Sequence, residues 1–102
     1  MEFLNENNIM TYSRDALNEK MRCLVRSAIM LKGAKKQDIA SAITQSKNAF
    51  SPWINRRNSY SEWILQSMFD YLKGTYSLDF DIIVQLAEEV YTYEQKRKLN
   101  LE

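Results

Sequence analysis

Four polar side chains, Lys47, Asn48, Ser51 and Asn55, recur at helical spacing within the stretch QSKNAFSPWINRR, residues 45–57. Phe50, Trp53 and Ile54 fall on another face of the same helix. One side of such a helix packs. The other offers amide, hydroxyl and ammonium groups, which recognise a hydrogen-bonding partner rather than break its bonds. The remaining composition points the same way. The chain has no histidine and a single cysteine, Cys23. The commonest general base is therefore missing, and a zinc site of the usual kind lacks ligands. The two glycines, Gly33 and Gly74, are too far apart to form a phosphate-cradling loop. The expectation is a protein that is not an enzyme, with no cofactor and no metal.

Charge is unevenly spread. The formal net charge is +1, yet from Lys20 to Arg57 nine basic residues face one acid, Asp38, giving +8. The other residues hold five basic and twelve acidic groups, giving −7. A solvated basic face is the plain explanation. A local positive field is also the electrostatic footprint of nucleic-acid binding. RNA is the weaker form of that expectation, because no stacking-sheet motif accompanies the aromatic residues.

At 102 residues the chain suits one domain. No apolar run reaches membrane-spanning length. The N-terminal MEFLNENNIM lacks the layout of a signal peptide, and a lone cysteine suits a reducing cytoplasm. Residues 1–12 read as an N-terminal arm whose Phe3, Leu4, Ile9 and Met10 can dock on the core. Leu101 and Glu102 read as a cloning scar.

The elements between are helices. Ser13 is a fitting N-cap, and Leu17, Met21, Leu24, Ala28 and Leu31 make one apolar stripe that Lys32-Gly33 closes. Cys23 flanks that stripe as a small packing residue. Ile39, Ala40 and Ile43 face inward from a short helix over about 35–43. Ser46 caps a third helix. Ser59 or Ser61 caps a fourth that carries Trp63, Ile64, Met68 and Leu72. Asp79 caps a fifth, within 79–97, with two adjacent stripes: Phe80, Ile83, Ala87 and Val90, then Ile82, Leu86 and Tyr93. A helix packed on its own domain needs one stripe. The surplus predicts a homodimer interface of Ile82, Ile83, Leu86, Val90 and Tyr93; burial of both stripes within one copy is the alternative.

With these positions in place, residues 36–55 resemble the helix-turn-helix of the lambda-repressor/Cro-like DNA-binding family. Ala40 matches the small residue that lets the two helices approach. Ile39, Ile43, Phe50 and Trp53 match the apolar positions around it, and Ser46 matches the cap of the groove-entering helix. The similarity extends over Ser13 to Leu72. It implies an all-α, compact bundle of about five helices in one domain, residues 13–100. It also implies a cytoplasmic, sequence-specific transcription regulator, of a size that suits a phage or mobile element, bound to double-stranded DNA as a homodimer. Under it Lys47, Asn48, Ser51 and Asn55 read bases; asparagine pairs with adenine and lysine reaches guanine. Lys35, Lys36, Arg56 and Arg57 hold phosphates, with Gln37 beside them.

Four positions depart from the family pattern. Thr44 stands where the turn glycine belongs, although a β-branched residue disfavours positive φ. Gln45 replaces an apolar residue, Lys35 is a poor cap, and Pro52 lies inside the reading helix. Proline either kinks one helix or occupies the first turn of a new one capped by Ser51. The shared face of Phe50 and Trp53 favours one continuous helix. The rival function is a protein-interaction module, such as a phage-type inhibitor or adaptor, on the same scaffold.

Overall fold

Ser13 is extended (φ −62°, ψ 158°), and its hydroxyl accepts a hydrogen bond from the Ala16 N–H, starting helix α1, Arg14–Lys32. Gly33 ends it with φ 65°, the left-handed conformation that costs glycine least. Four more helices follow: α2 (Lys36–Ala42), α3 (Lys47–Ile54), α4 (Glu62–Thr75) and α5 (Phe80–Asn100). A 3₁₀ turn, Ile9–Thr11, precedes them all. This computed structural model describes residues 3–100, and no strand occurs among them. The expected scar at Leu101 and Glu102 lies outside the described residues.

The protein is an all-α globule. α1 packs against α5 and α4, most extensively against α5, and α2 packs against α3 and α4. Leu17, Met21, Leu24 and Ala28 of α1 meet Leu65, Met68, Phe69 and Leu72 of α4, Ile83 and Ala87 of α5, and Ile39, Phe50 and Trp53 in one continuous core. The arm is docked. Phe3, Leu4 and Ile9 are buried, and Tyr12 donates its hydroxyl proton to the Phe3 carbonyl at 2.9 Å.

Several apolar positions sit differently from the sequence expectation. Met10 and Leu31 are exposed, since the apolar contacts of the arm and of α1 stop short of them. Trp63 is exposed because α4 turns Leu65, Met68, Phe69 and Leu72 inward, a stripe that leaves Trp63 outside. Ser61, not Ser59, precedes α4, and its side chain makes no capping bond. The Asp79 carboxylate accepts from the Lys32 ammonium at 2.7 Å, while its backbone carbonyl receives the Ile82 and Ile83 N–H groups. On α5, Ile83 is fully buried in the monomer core, so it is not an interface residue. Val90 is half-buried and packs against that same core, and Leu86 is half-buried. Ile82 and Tyr93 face outward.

The most specific packing joins α1 to the end of α3. Arg14, Asn18, Arg22 and Arg26 are spaced by four and share one face of α1. Arg14 Nε donates to the Tyr60 carbonyl, Arg22 Nε to that of Trp53 at 2.6 Å, Arg22 Nη2 to that of Asn58 at 2.6 Å, and Arg26 Nη2 to that of Ile54 at 2.9 Å. Asn18 saturates its amide. Its Nδ2 donates to the carbonyls of Arg14 and Tyr60, and its Oδ1 accepts from Trp53 Nε1 at 2.7 Å and from the Tyr60 N–H at 3.0 Å. The indole of Trp53 stacks on Tyr60 at 5.3 Å between ring centres. Helix-terminal carbonyls with no partner inside their own helix are thus satisfied by side chains of α1.

Asn18→Ala should leave the Trp53 indole N–H and the Tyr60 N–H buried without acceptors. At about 1–3 kcal/mol for each orphaned donor, the expected loss is about 2–6 kcal/mol in chemical denaturation. A loss within experimental error would show that the clamp does not hold α3.

Candidate nucleic-acid interface

α2 and α3 are joined by Ile43 to Ser46. The Gln45 N–H bonds back to the Ala40 carbonyl at 2.8 Å and the Thr44 N–H to that of Ser41 at 3.1 Å. This paired closure needs a left-handed residue at Thr44, which has φ 57°. Thr44 holds a conformation that glycine adopts most easily, at a cost of about 1–2 kcal/mol for a side chain there. Lys35 precedes α2 without a side-chain cap. Ser46 accepts from the Ala49 N–H at 3.1 Å and sets the start of α3.

α3 runs through Pro52 as a single helix. Phe50 and Trp53 are fully buried and Ile54 nearly so, which aims the opposite face outward. Asn48 and Asn55 are exposed, and Ser51 and Pro52 are half-buried beside them. The backbone of Lys47 opens the helix; its side chain lies outside the described residues. Beyond Asn55, Arg56 takes φ 63°, and the Arg57 N–H bonds to the Pro52 carbonyl at 2.8 Å, closing α3 as α2 is closed.

Leaving aside Lys47, the other eight basic side chains of residues 20–57 divide into two groups. Five basic side chains have partners inside the protein. Lys20 places its ammonium 4.6, 4.5 and 4.3 Å from the ring centres of Phe3, Tyr12 and Tyr91. Burial pulls its pKa down, against the attraction of Glu88. Arg22 is buried on Glu19 and the α3 carbonyls. Arg26 reaches Glu94, and Lys32 pairs with Asp79. Arg56 bonds to both carboxylate oxygens of Glu19 and to Glu94 at 2.8 Å. Arg56 therefore ties α3 to α1 and α5, although its position in the sequence suggests a phosphate contact. Lys35, Lys36 and Arg57 are exposed, and among the described residues they make no ion pair. Gln37 is exposed next to them. Sequence spacing misses this division because Glu19 and Glu94 are far from Arg56 along the chain. The four-residue spacing of Arg14, Asn18, Arg22 and Arg26 was the visible signal.

Near this ionic cluster the titrating groups shift. Burial works against the charged form of Glu19, but its bond to Arg56 and the charges of Arg56, Arg22 and Lys98 outweigh that and hold its pKa below the ordinary carboxylate range. Burial pushes the Cys23 thiol up to about 11, with Glu94 and Glu19 adding to it, so this cysteine is not a nucleophile at neutral pH. Among the described residues no group of three or more His, Cys, Asp or Glu is arranged to hold a metal, and no helix is long and apolar enough to cross a membrane.

Comparison with known proteins finds no matching family model, no matching curated protein and no matching solved structure.

Two outcomes follow from this geometry. A carboxylate with a depressed folded pKa contributes stability that is present above its unfolded pKa and lost as pH falls through the folded one. Glu19→Gln should lower stability at neutral pH and flatten the acid limb of a stability–pH profile below about pH 4.3, the unfolded value for glutamate. An unchanged acid limb would mean that Glu19 carries no linkage. Pro52→Ala supplies an N–H for the Asn48 carbonyl and should hold or raise the melting temperature. A large fall would show that the pyrrolidine ring is needed for packing.

Proposed function

We propose that this chain is a small DNA-binding regulator that reads duplex DNA with the outer face of α3. The observation that carries the reading is the division of α3 itself: a fully buried apolar face, a clamped C-terminal end, and a polar face of Asn48, Ser51 and Asn55 turned outward. The α2–turn–α3 unit then acts as a helix-turn-helix, with Lys47 and the two asparagines at base edges. Lys35, Lys36 and Arg57 hold phosphates, with Gln37 beside them, and Arg56 shapes the site without spending its charge on DNA. The reading is non-enzymatic, places the protein in the cytoplasm, suits a phage-type or mobile-element regulator, and includes a homodimer on paired half-sites.

One observation favours a second reading, a protein-interaction module. Five of the nine basic groups that suggest an anionic partner are already neutralised or caged within the fold. The free positive charge is smaller than the sequence total.

Titration of labelled duplex DNA at increasing salt separates the two. Three phosphate contacts per copy, from Lys35, Lys36 and Arg57, give a slope of about −2.7 in log affinity against log salt, at about 0.9 per contact. Arg57→Ala should remove about one contact from that slope and weaken all sequences alike. Arg56→Ala should instead lower the melting temperature and change the slope little. A slope near zero in the unmodified protein would exclude DNA and leave the interaction module.

A further inference from the structure

α5 is covered on one side only. Its Phe80, Ile83 and Ala87 are buried in the shared core, and Glu94 on the same side grips Arg26 and Arg56. The opposite stripe remains open: Ile82 is 57% exposed and Tyr93 64%, with Leu86 half-buried between them. Beside its start, Leu78 in the α4–α5 turn is 97% exposed, and Leu31 lines the same shallow surface as Ile82 around the Lys32–Asp79 ion pair. Four of the eight large apolar side chains exposed among the described residues, Leu31, Leu78, Ile82 and Tyr93, thus belong to α5 or adjoin its start.

Charge along α5 as a whole is polar, with acidic side chains in its first part and basic ones at its end. Asp81 and Glu89 are exposed in the first half of α5, Lys96 and Arg97 in its last turns, and among the described residues none of the four is in an ion pair. Such a surface complements itself when a second helix runs the opposite way, and repels itself when the two run parallel. We infer that the exposed stripe of α5 binds the same stripe of a second copy in antiparallel orientation, with Leu86 near the two-fold axis and Ile82 of each copy against Tyr93 of the other. Ile82 and Tyr93 are eleven residues apart, about 16 Å along a helix, so the two apolar pairs flank the axis symmetrically. The basic last turns then reach the second copy's Asp81, and the aliphatic stem of Arg97 covers its Leu78. Because Glu94 ties α5 to Arg56 at the end of α3, the pairing fixes the two α3 helices relative to each other.

This inference gives a geometry to the homodimer of the proposed function and does not depend on DNA. Its test uses the full chain. Sedimentation equilibrium up to high micromolar concentration should show a monomer–dimer equilibrium, weakened about tenfold or more by Ile82→Glu with the helical circular dichroism unchanged. For orientation, Ile82→Cys and Tyr93→Cys proteins are oxidised separately and mixed; buried Cys23 does not compete. Antiparallel pairing predicts disulfide-linked dimers mainly in the mixture. Stronger cross-linking of each variant with itself indicates parallel pairing and overturns the inference, as does an unmodified chain that stays monomeric or an Ile82→Glu protein that dimerises as before. Dimerisation with no affinity for duplex DNA would leave this inference standing and remove the DNA reading alone.

Discussion

The position of α3 depends on the side chains that α1 sends into its C-terminal end. An eight-residue helix with an internal proline does not persist alone, since short helices are marginal even without a breaker. Here Arg22 and Arg26 take the carbonyls of Trp53 and Ile54, while Asn18 holds the indole of Trp53 and both backbone groups of Tyr60. The charges offset the negative end of the helix dipole as well as completing its hydrogen bonds. Burial of Phe50 and Trp53 holds the other face. The outward direction of Asn48 and Asn55 follows from these inner contacts.

The same clamp decides what the basic segment is for. A buried guanidinium must be paired and hydrogen-bonded, and Arg22 is both. Glu19 and Glu94 hold Arg56, and the three together join α1, α3 and α5. Such pairs add little as isolated surface bridges, and removing one partner is costly only where the other is buried. Their main effect is to fix one relative placement of three helices. Positive charge among the described side chains therefore separates into an inner part that builds the fold and an outer part, at the start of α2 and in the turn after α3, that is open to a partner.

Much of this fold is legible in the sequence, because its signals are local. Ser13, Gly33 and Ser46 set boundaries through their own backbone and side-chain chemistry, and the buried residues of α1 recur at helical spacing. The shared face of Phe50 and Trp53 is enough to carry one helix through Pro52. What the sequence hides depends on residues far apart. The docking of Trp53 on Asn18, the capture of Arg56 by Glu94 and the exposure of Trp63 follow from which helices meet, and no local pattern records that. Thr44 is a further case: its residue type argues against positive φ, yet the tertiary pairing of α2 and α3 imposes it. Of the candidate site, the outer face of α3 is readable from spacing alone, but the separation of Arg56 from Arg57 is not.

The central claim is that the outer face of α3 recognises base edges in duplex DNA. Repeated selection of the full chain on random duplex DNA tests it most directly. The account predicts enrichment of a defined motif, with Asn48→Ala relaxing the preference at one or two base pairs by about 1–3 kcal/mol each while the protein stays folded. A selected pool no different from the input, at salt low enough for binding to be detected, would contradict it.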